Sequence, residues 1–262
     1  MSILLDKFKR RIKRALTPAT PDFDRTAKLA LRLRCDLQYV MDIDPSSPWH
    51  APGFVETFGG FNPPTESRSL LQLHRGDRVR SDTLILLLRE IIVRNVPGSI
   101  AELGVHRGNS ARLLHHYCPE RRLYLFDTFT GFAARDLESE TLDTGFNRRA
   151  EFADTELATV KKIIQANNDH VVFVPGWFPE TITPAITAES FAFVHLDADL
   201  EAPTSAALEF FWPRLSSGGY IVAHDYNAWP GVRLAVDRFR ASEPVTAVPL
   251  ADKSGSIVLA KA

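Results

Sequence analysis

Cysteine is scarce in this chain: 262 residues contain only Cys35 and Cys118, with no C-x-x-C and no Cys/His spacing. That excludes a disulfide framework and a zinc finger, and it fits a reducing cytoplasm. An excess of charge is also missing, since 31 basic residues face 32 acidic ones for a net charge of -1. No global field draws nucleic acid. No apolar run approaches the roughly eighteen residues of a membrane span, and the N-terminus lacks a signal peptide's apolar core and cleavage site. The reading is a soluble, cytoplasmic protein, long enough for one large α/β domain or two small ones. No internal repeat or low-complexity tract occurs. The oligomeric state stays open, a homo-oligomer included.

What the chain does hold begins with MSILLDKFKRRIKRAL, where Leu4, Leu5, Phe8, Ile12 and Ala15 form one helical stripe and Lys7, Arg10, Arg11 and Arg14 lie elsewhere. A terminal helix docked on its own domain explains this pattern; attachment of residues 1–16 to an anionic membrane surface is the alternative. A second helical pattern covers about 24–41. Residues 42–69 are rich in Pro, Gly and Ser, including Gly59-Gly60 and Pro63-Pro64, and read as a loop or lid before helix resumes near Ser81. The expected division is an N-terminal helical and lid segment, 1–80, and a second domain, 81–262.

From residue 99 short apolar runs alternate with helical patterns, the signature of a mostly parallel sheet with helices on both faces. Strands are expected over Ser99 to Val105, Arg122 to Asp127, His170 to Val174, Phe191 to Asp197, Gly219 to His224 and Gly255 to Ala260. Leu208, Phe211, Trp212 and Leu215 space an amphipathic helix between the fourth and fifth strands. In such sheets ligands sit beyond the carboxyl ends of the strands. Asp197 and Asp199 leave the fourth strand in HLDADL; His224 and Asp225 leave the fifth in YIVAHDY. Adjacent strands would bring these four side chains together. The competing explanation is that Asp199 caps the next helix and Asp225 merely ends a strand.

The first strand ends in AELGVHRGNS, with Glu102, Gly104 and Gly108 at a strand-to-helix turn where backbone N–H groups are free. His106 and Asn109 stand where G-x-G-x-x-G needs glycines, which disfavours a dinucleotide pyrophosphate. Asp127, about twenty residues on, can accept from both hydroxyls of a ribose. A nucleoside without a diphosphate suits both features, and S-adenosylmethionine is the common one.

The stretches VPGSIAELGVHRGNS, LFDTFTGF, PGWFPETI, LDADL and HDYNAWPGVRLAVDRF together resemble the macrocin O-methyltransferase (TylF) family over about residues 89–261. The resemblance implies a Rossmann-like class I methyltransferase with a seven-stranded sheet and a small-molecule hydroxyl acceptor, a sugar or other natural product. It implies S-adenosyl-L-methionine at the glycine turn, with Glu102, Gly104, Gly108, Ser110, Asp127 and Trp177 as cofactor-side residues. It further implies a divalent metal, magnesium or manganese, on Asp197, His224 and Asp225, and Asp199 as general base. Two positions depart from the family pattern. His224 stands where an Asp is usual, and imidazole favours manganese, iron or zinc over magnesium; His106 stands where Trp is usual. His195, on a buried strand, reads as a hydrogen-bonded core residue. Two other classes remain: a nicotinamide-dependent oxidoreductase, and a non-catalytic binding protein whose metal site has decayed at His224.

Overall fold

The computed structural model describes residues 77–140, 152–153, 155–164 and 169–262. The basic stripe at 1–16, the helical pattern at 24–41 and the Pro/Gly-rich segment at 42–69 lie outside the described residues. Helix α1 (Arg78–Val93) begins slightly ahead of Ser81 and so straddles the expected division at residue 80. The order then runs β1 (Ser99–Leu103), α2 (Asn109–Tyr117), β2 (Leu123–Asp127), α3 (Ala134–Ser139), α4 (Leu157–Ile164) and β3 (Val171–Pro175). It continues through α5 (Pro184–Thr187), β4 (Phe191–Leu196), α6 (Glu201–Arg214), β5 (Leu215–Ala223), α7 (Pro230–Ser242), β6 (Thr246–Pro249) and β7 (Ile257–Ala260).

The seven strands form one sheet in the order β3-β2-β1-β4-β5-β7-β6. Strands β1 to β5 are parallel, while β7 runs antiparallel to both β5 and β6. Every residue of β1 and β4 is buried because helices cover both faces. Period-two alternation then divides the side chains. Ile100, Leu125, Phe193, Val222 and Val258 join one core with Leu84, Leu88 and Leu113 of α1 and α2. Ala101, Phe126, Val194, Ile221 and Leu259 join the other with Phe211 and Trp212 of α6 and Val236 of α7.

Two strand details depart from expectation. Strand β5 begins at Leu215, four residues before Gly219, through an S-S-G-G stretch that reads as a turn. Strand β6 was not among the expected strands; its residues are half-buried or exposed, and it pairs at the edge with β7. Consecutive chain segments leave β1 toward β2 on one side and β4 lies on the other, so the sheet's switch point falls between β1 and β4. That is where a parallel α/β sheet opens a crevice. No helix among the described residues is long and apolar enough to cross a membrane.

Candidate active site

The carboxyl ends of β1, β2, β4 and β5 surround one cavity of about 400 Å³. Gly104 follows β1 with φ +89°, and a Cβ there would lie 2.6 Å from the Asp197 carbonyl carbon and closer still to its oxygen. Only glycine lets β1 turn against β4 so closely. Its amide donates to the Phe126 carbonyl (2.9 Å), and the Asp197 amide donates to the Leu103 carbonyl (2.8 Å), locking three strand ends together. Gly108 is also left-handed (φ +75°), but it is buried off the cavity wall, where a Cβ would sit 2.9 Å from Val160 Cγ1. Ser110, in the first turn of α2, is on the wall.

Asp127 ends β2 on the same wall. Its Oδ2 accepts from the amides of Val105 and His106, both at 2.8 Å, and its Oδ1 accepts from the Phe129 amide at 2.7 Å. The carboxylate therefore shapes the turn after β1 as well as facing the cavity. Beyond β3, Trp177 lines the cavity, donates from Nε1 to Asp136 (2.9 Å) and carries the Arg135 guanidinium 3.7 Å above its ring. Its neighbour Phe178 also borders the cavity but is buried and stacked on Phe211 of the core. His106 lines the mouth and meets the Phe152 ring edge-on at 4.9 Å.

Strands β4 and β5 are neighbours, with Leu196 opposite Ala223, so the four residues leaving them converge. Asp197 Oδ1 lies 2.7 Å from His224 Nδ1, and Asp225 Oδ2 lies 3.2 Å from the same nitrogen. Neither contact has the geometry of a well-directed hydrogen bond. Asp199 and Asp225 both take left-handed backbone (φ +61° and +59°), a conformation that Asp tolerates better than most residues. Helix α6 is capped by Leu200 with no side-chain bond, and Glu140 Oε2 accepts from the Glu201 amide (3.0 Å). Asp199 is thus not the helix cap of the competing explanation.

The charges in this cluster set one another. Burial opposes ionisation of Asp197, yet the charges of His224 and Arg80 hold it well below the usual carboxylate range. Burial and Arg80 press His224 down, but Asp197 and Asp225 raise it well above an ordinary histidine. Burial, then the charges of Asp225 and Asp197, push Asp199 well up, whereas Asp225 falls against its own burial because of His224 and a hydrogen bond from Asp199. Asp199 and Asp225 are thus pushed in opposite directions, and Asp199 holds a proton more readily than its neighbour. The ligand atoms of Asp197, His224 and Asp225 lie within 4.8 Å of one another. Two carboxylate oxygens and one imidazole nitrogen at that spacing suit a borderline divalent metal.

Glu102 is placed differently from a cofactor contact. It is fully buried beneath the cavity, and its Oε1 lies 2.8 Å from His195 Nδ1, also fully buried. The pair is adjacent in the β1/β4 register. Burial and the Arg80 charge bring His195 down to about 3, so its ring is neutral. His195 Nε2 faces Arg80 Nη2 at 3.5 Å, and that nitrogen donates to Asp197 Oδ2 at 2.6 Å. Arg80 carries no motif and was invisible in the sequence, 117 residues from its partner.

Known proteins resemble this chain in sequence and in fold. The chain is 33% identical over 185 residues to 8-demethyl-8-(2,3-dimethoxy-alpha-L-rhamnosyl)-tetracenomycin-C 4'-O-methyltransferase of Streptomyces olivaceus, covering 64% of this chain and 69% of that protein. It is 27% identical to demethyldecarbamoylnovobiocin O-methyltransferase of Streptomyces niveus, over 68% and 70% of the two chains. Its fold matches the solved O-methyltransferase NovP with a TM-score of 0.61 at 23% identity, over 88% of this chain and 99% of that one. A calicheamicin methyltransferase structure matches with a TM-score of 0.59 at 23% identity, over 94% and 95%. The family model of macrocin-O-methyltransferase (TylF) matches residues 74–255, and the chain belongs to that family.

Proposed function

We propose that this protein is an S-adenosylmethionine-dependent O-methyltransferase that methylates a sugar hydroxyl of a natural product, with a divalent metal held by Asp197, His224 and Asp225. One observation carries the reading: the carboxylates leaving β4 and β5 share a single cavity with the Gly104 turn and Asp127 of β1 and β2. Donor and acceptor halves of a methyl transfer thereby face each other. The rhamnosyl group in the name of the Streptomyces olivaceus relative points to a sugar-bearing acceptor.

The reaction joins the hydroxyl oxygen to the methyl carbon while the carbon–sulfur bond of the sulfonium breaks. The products are a methyl ether, S-adenosylhomocysteine and one proton. The donor is already activated, so the protein's task is alignment and charge placement. Gly104 lets the donor approach the backbone, and Asp127 holds the turn that borders it. Trp177, pinned by Asp136 and Arg135, closes the wall. Asp197, His224 and Asp225 would hold a divalent ion, which would supply Lewis-acid activation of the acceptor hydroxyl. Asp199, on the loop after β4, takes the hydroxyl proton. It does so in its ionised form, which burial and the charges of Asp225 and Asp197 disfavour.

The test is calorimetry with S-adenosylhomocysteine and NAD, followed by methyl transfer from labelled S-adenosylmethionine to a panel of glycosides, with and without chelator. Binding of S-adenosylhomocysteine alone and metal-dependent labelling of a sugar hydroxyl are expected. Binding of NAD without S-adenosylhomocysteine would overturn the reading.

A further inference from the structure

The side chain with no part in that scheme is Arg80. Its backbone is fixed: Asp77 Oδ1 accepts from the Arg80 amide at 3.2 Å, while Asp77 Oδ2 accepts from the Lys253 amide at 3.0 Å, tying the start of α1 to the turn before β7. From that anchor the side chain reaches the cavity wall. Its Nη2 donates to Asp197 Oδ2 at 2.6 Å and to Ser110 Oγ at 3.4 Å, and faces His195 Nε2 at 3.5 Å. All three contacts run through one nitrogen. The strong arrangement of a guanidinium on a carboxylate is a two-nitrogen fork, and this is not one. Buried Nε has no hydrogen-bond partner among the described residues.

A cation attached by one nitrogen, with a buried donor left over, is held chiefly by the charge it faces. That charge is Asp197, a member of the ligand cluster. A guanidinium and a divalent ion on one carboxylate repel each other in a partly desolvated site. We propose that Arg80 is a tethered counter-cation of Asp197 that competes with the divalent ion, so that metal loading requires its guanidinium to withdraw from Oδ2. The proposal rests on the metal-assisted reading above. It gives the site an internal substitute for the ion, which keeps the carboxylates together when no metal is bound and sets a threshold for loading. Asp77 and Lys253 hold the backbone, so withdrawal needs only rotation about the side-chain bonds.

The test is a titration of metal-free, full-length protein with Mn²⁺, followed by the paramagnetic signal of the free ion. Arg80→Gln should bind Mn²⁺ roughly ten- to a hundredfold more tightly than wild type. Arg80→Lys, which keeps the charge, should bind much as wild type does. S-adenosylhomocysteine affinity and the unfolding midpoint establish that each variant is folded. Equal or weaker Mn²⁺ binding by Arg80→Gln overturns the proposal and makes Arg80 an orienting partner of Asp197, with the metal site intact. Failure of all three proteins to bind Mn²⁺ overturns the metal reading itself, and the Arg80 proposal with it. Wild-type crystals give a second measurement: with manganese bound, Arg80 Nη2 should have left Asp197 Oδ2, and a retained hydrogen bond beside the ion refutes the competition.

Discussion

Replacing Gly104 by Ala puts a methyl group in place of a hydrogen at the point where β1, β2 and β4 meet. The backbone there has φ +89°, and the new Cβ would sit 2.6 Å from the Asp197 carbonyl carbon and 3.3 Å from the Ala198 amide nitrogen. Left-handed strain on a residue with a Cβ costs about 1–2 kcal/mol. Forcing a methyl against backbone that cannot rotate away adds about 1–3 kcal/mol. The sum, about 2–5 kcal/mol, is a large part of a domain's stability. Relief comes only from moving the end of β4, which carries Asp197 away from Arg80 and His224. Gly104→Ala should therefore lose stability in chemical denaturation and lose affinity for S-adenosylhomocysteine together. Gly108→Ala is the control. Its strain is similar (φ +75°), but the new Cβ meets side-chain atoms of Val160 and Ile164, which can shift, and it lies off the cavity. It should cost about 1–3 kcal/mol and leave cofactor affinity near wild type. Equal effects of the two variants on binding, or an unchanged denaturation midpoint for Gly104→Ala, would refute the reasoning.

Asp199→Asn should keep the fold and cofactor affinity while turnover falls roughly 10²- to 10⁴-fold, measured as methyl transfer to the true acceptor. Because the active base is the ionised form and burial beside Asp225 and Asp197 raises Asp199, wild-type turnover should climb as pH rises through that elevated value; in a pH–rate profile the limb should vanish in Asp199→Asn. His224→Asp should shift the metal preference from manganese or cobalt toward magnesium, since a hard oxygen replaces an imidazole; identical metal profiles for both proteins would refute the assignment of His224 as a ligand. Asp127→Ala should weaken S-adenosylhomocysteine binding by about 1–3 kcal/mol in calorimetry, because three backbone N–H groups lose their acceptor along with any ribose contact.

The sequence made the sheet's interior legible because burial on both faces leaves a continuous apolar run, and β4, Phe191–Leu196, is buried at every position. The edge escaped for the converse reason. Residues Thr246–Pro249 of β6 are largely solvent-facing, and an exposed four-residue strand ending in Pro has no apolar pattern to reveal it. The start of β5 was hidden by Ser216, Ser217, Gly218 and Gly219, which read as turn chemistry. Pairing with β4 at Leu215 overrides that local preference.

At the site, what lay within one strand end could be read, and what depended on contact between distant segments could not. The carboxylates of HLDADL and YIVAHDY declared themselves because a charged group ending a buried run must open onto solvent or a ligand. Glu102 looked like one of them. Its position within β1 rather than after it should have counted against that: a fully buried carboxyl inside a strand needs a partner on the neighbouring strand, and His195 stands opposite it in register. The two polar residues explain each other, and through His195 Nε2 they border Arg80. Arg80 itself gave no sign, since long-range salt bridges leave no periodicity. Yet the same physical rule that exposes the carboxylates implies such a residue. Asp197, Asp199 and Asp225 stand together in a site walled by low-dielectric strands, and a fold that gathers three carboxylates there has to supply positive charge of its own. Arg80 donates to Asp197 Oδ2, and His224 Nδ1 lies beside both Asp197 and Asp225, so the imidazole at the end of β5 and the cation reaching in from α1 face the same negative charge.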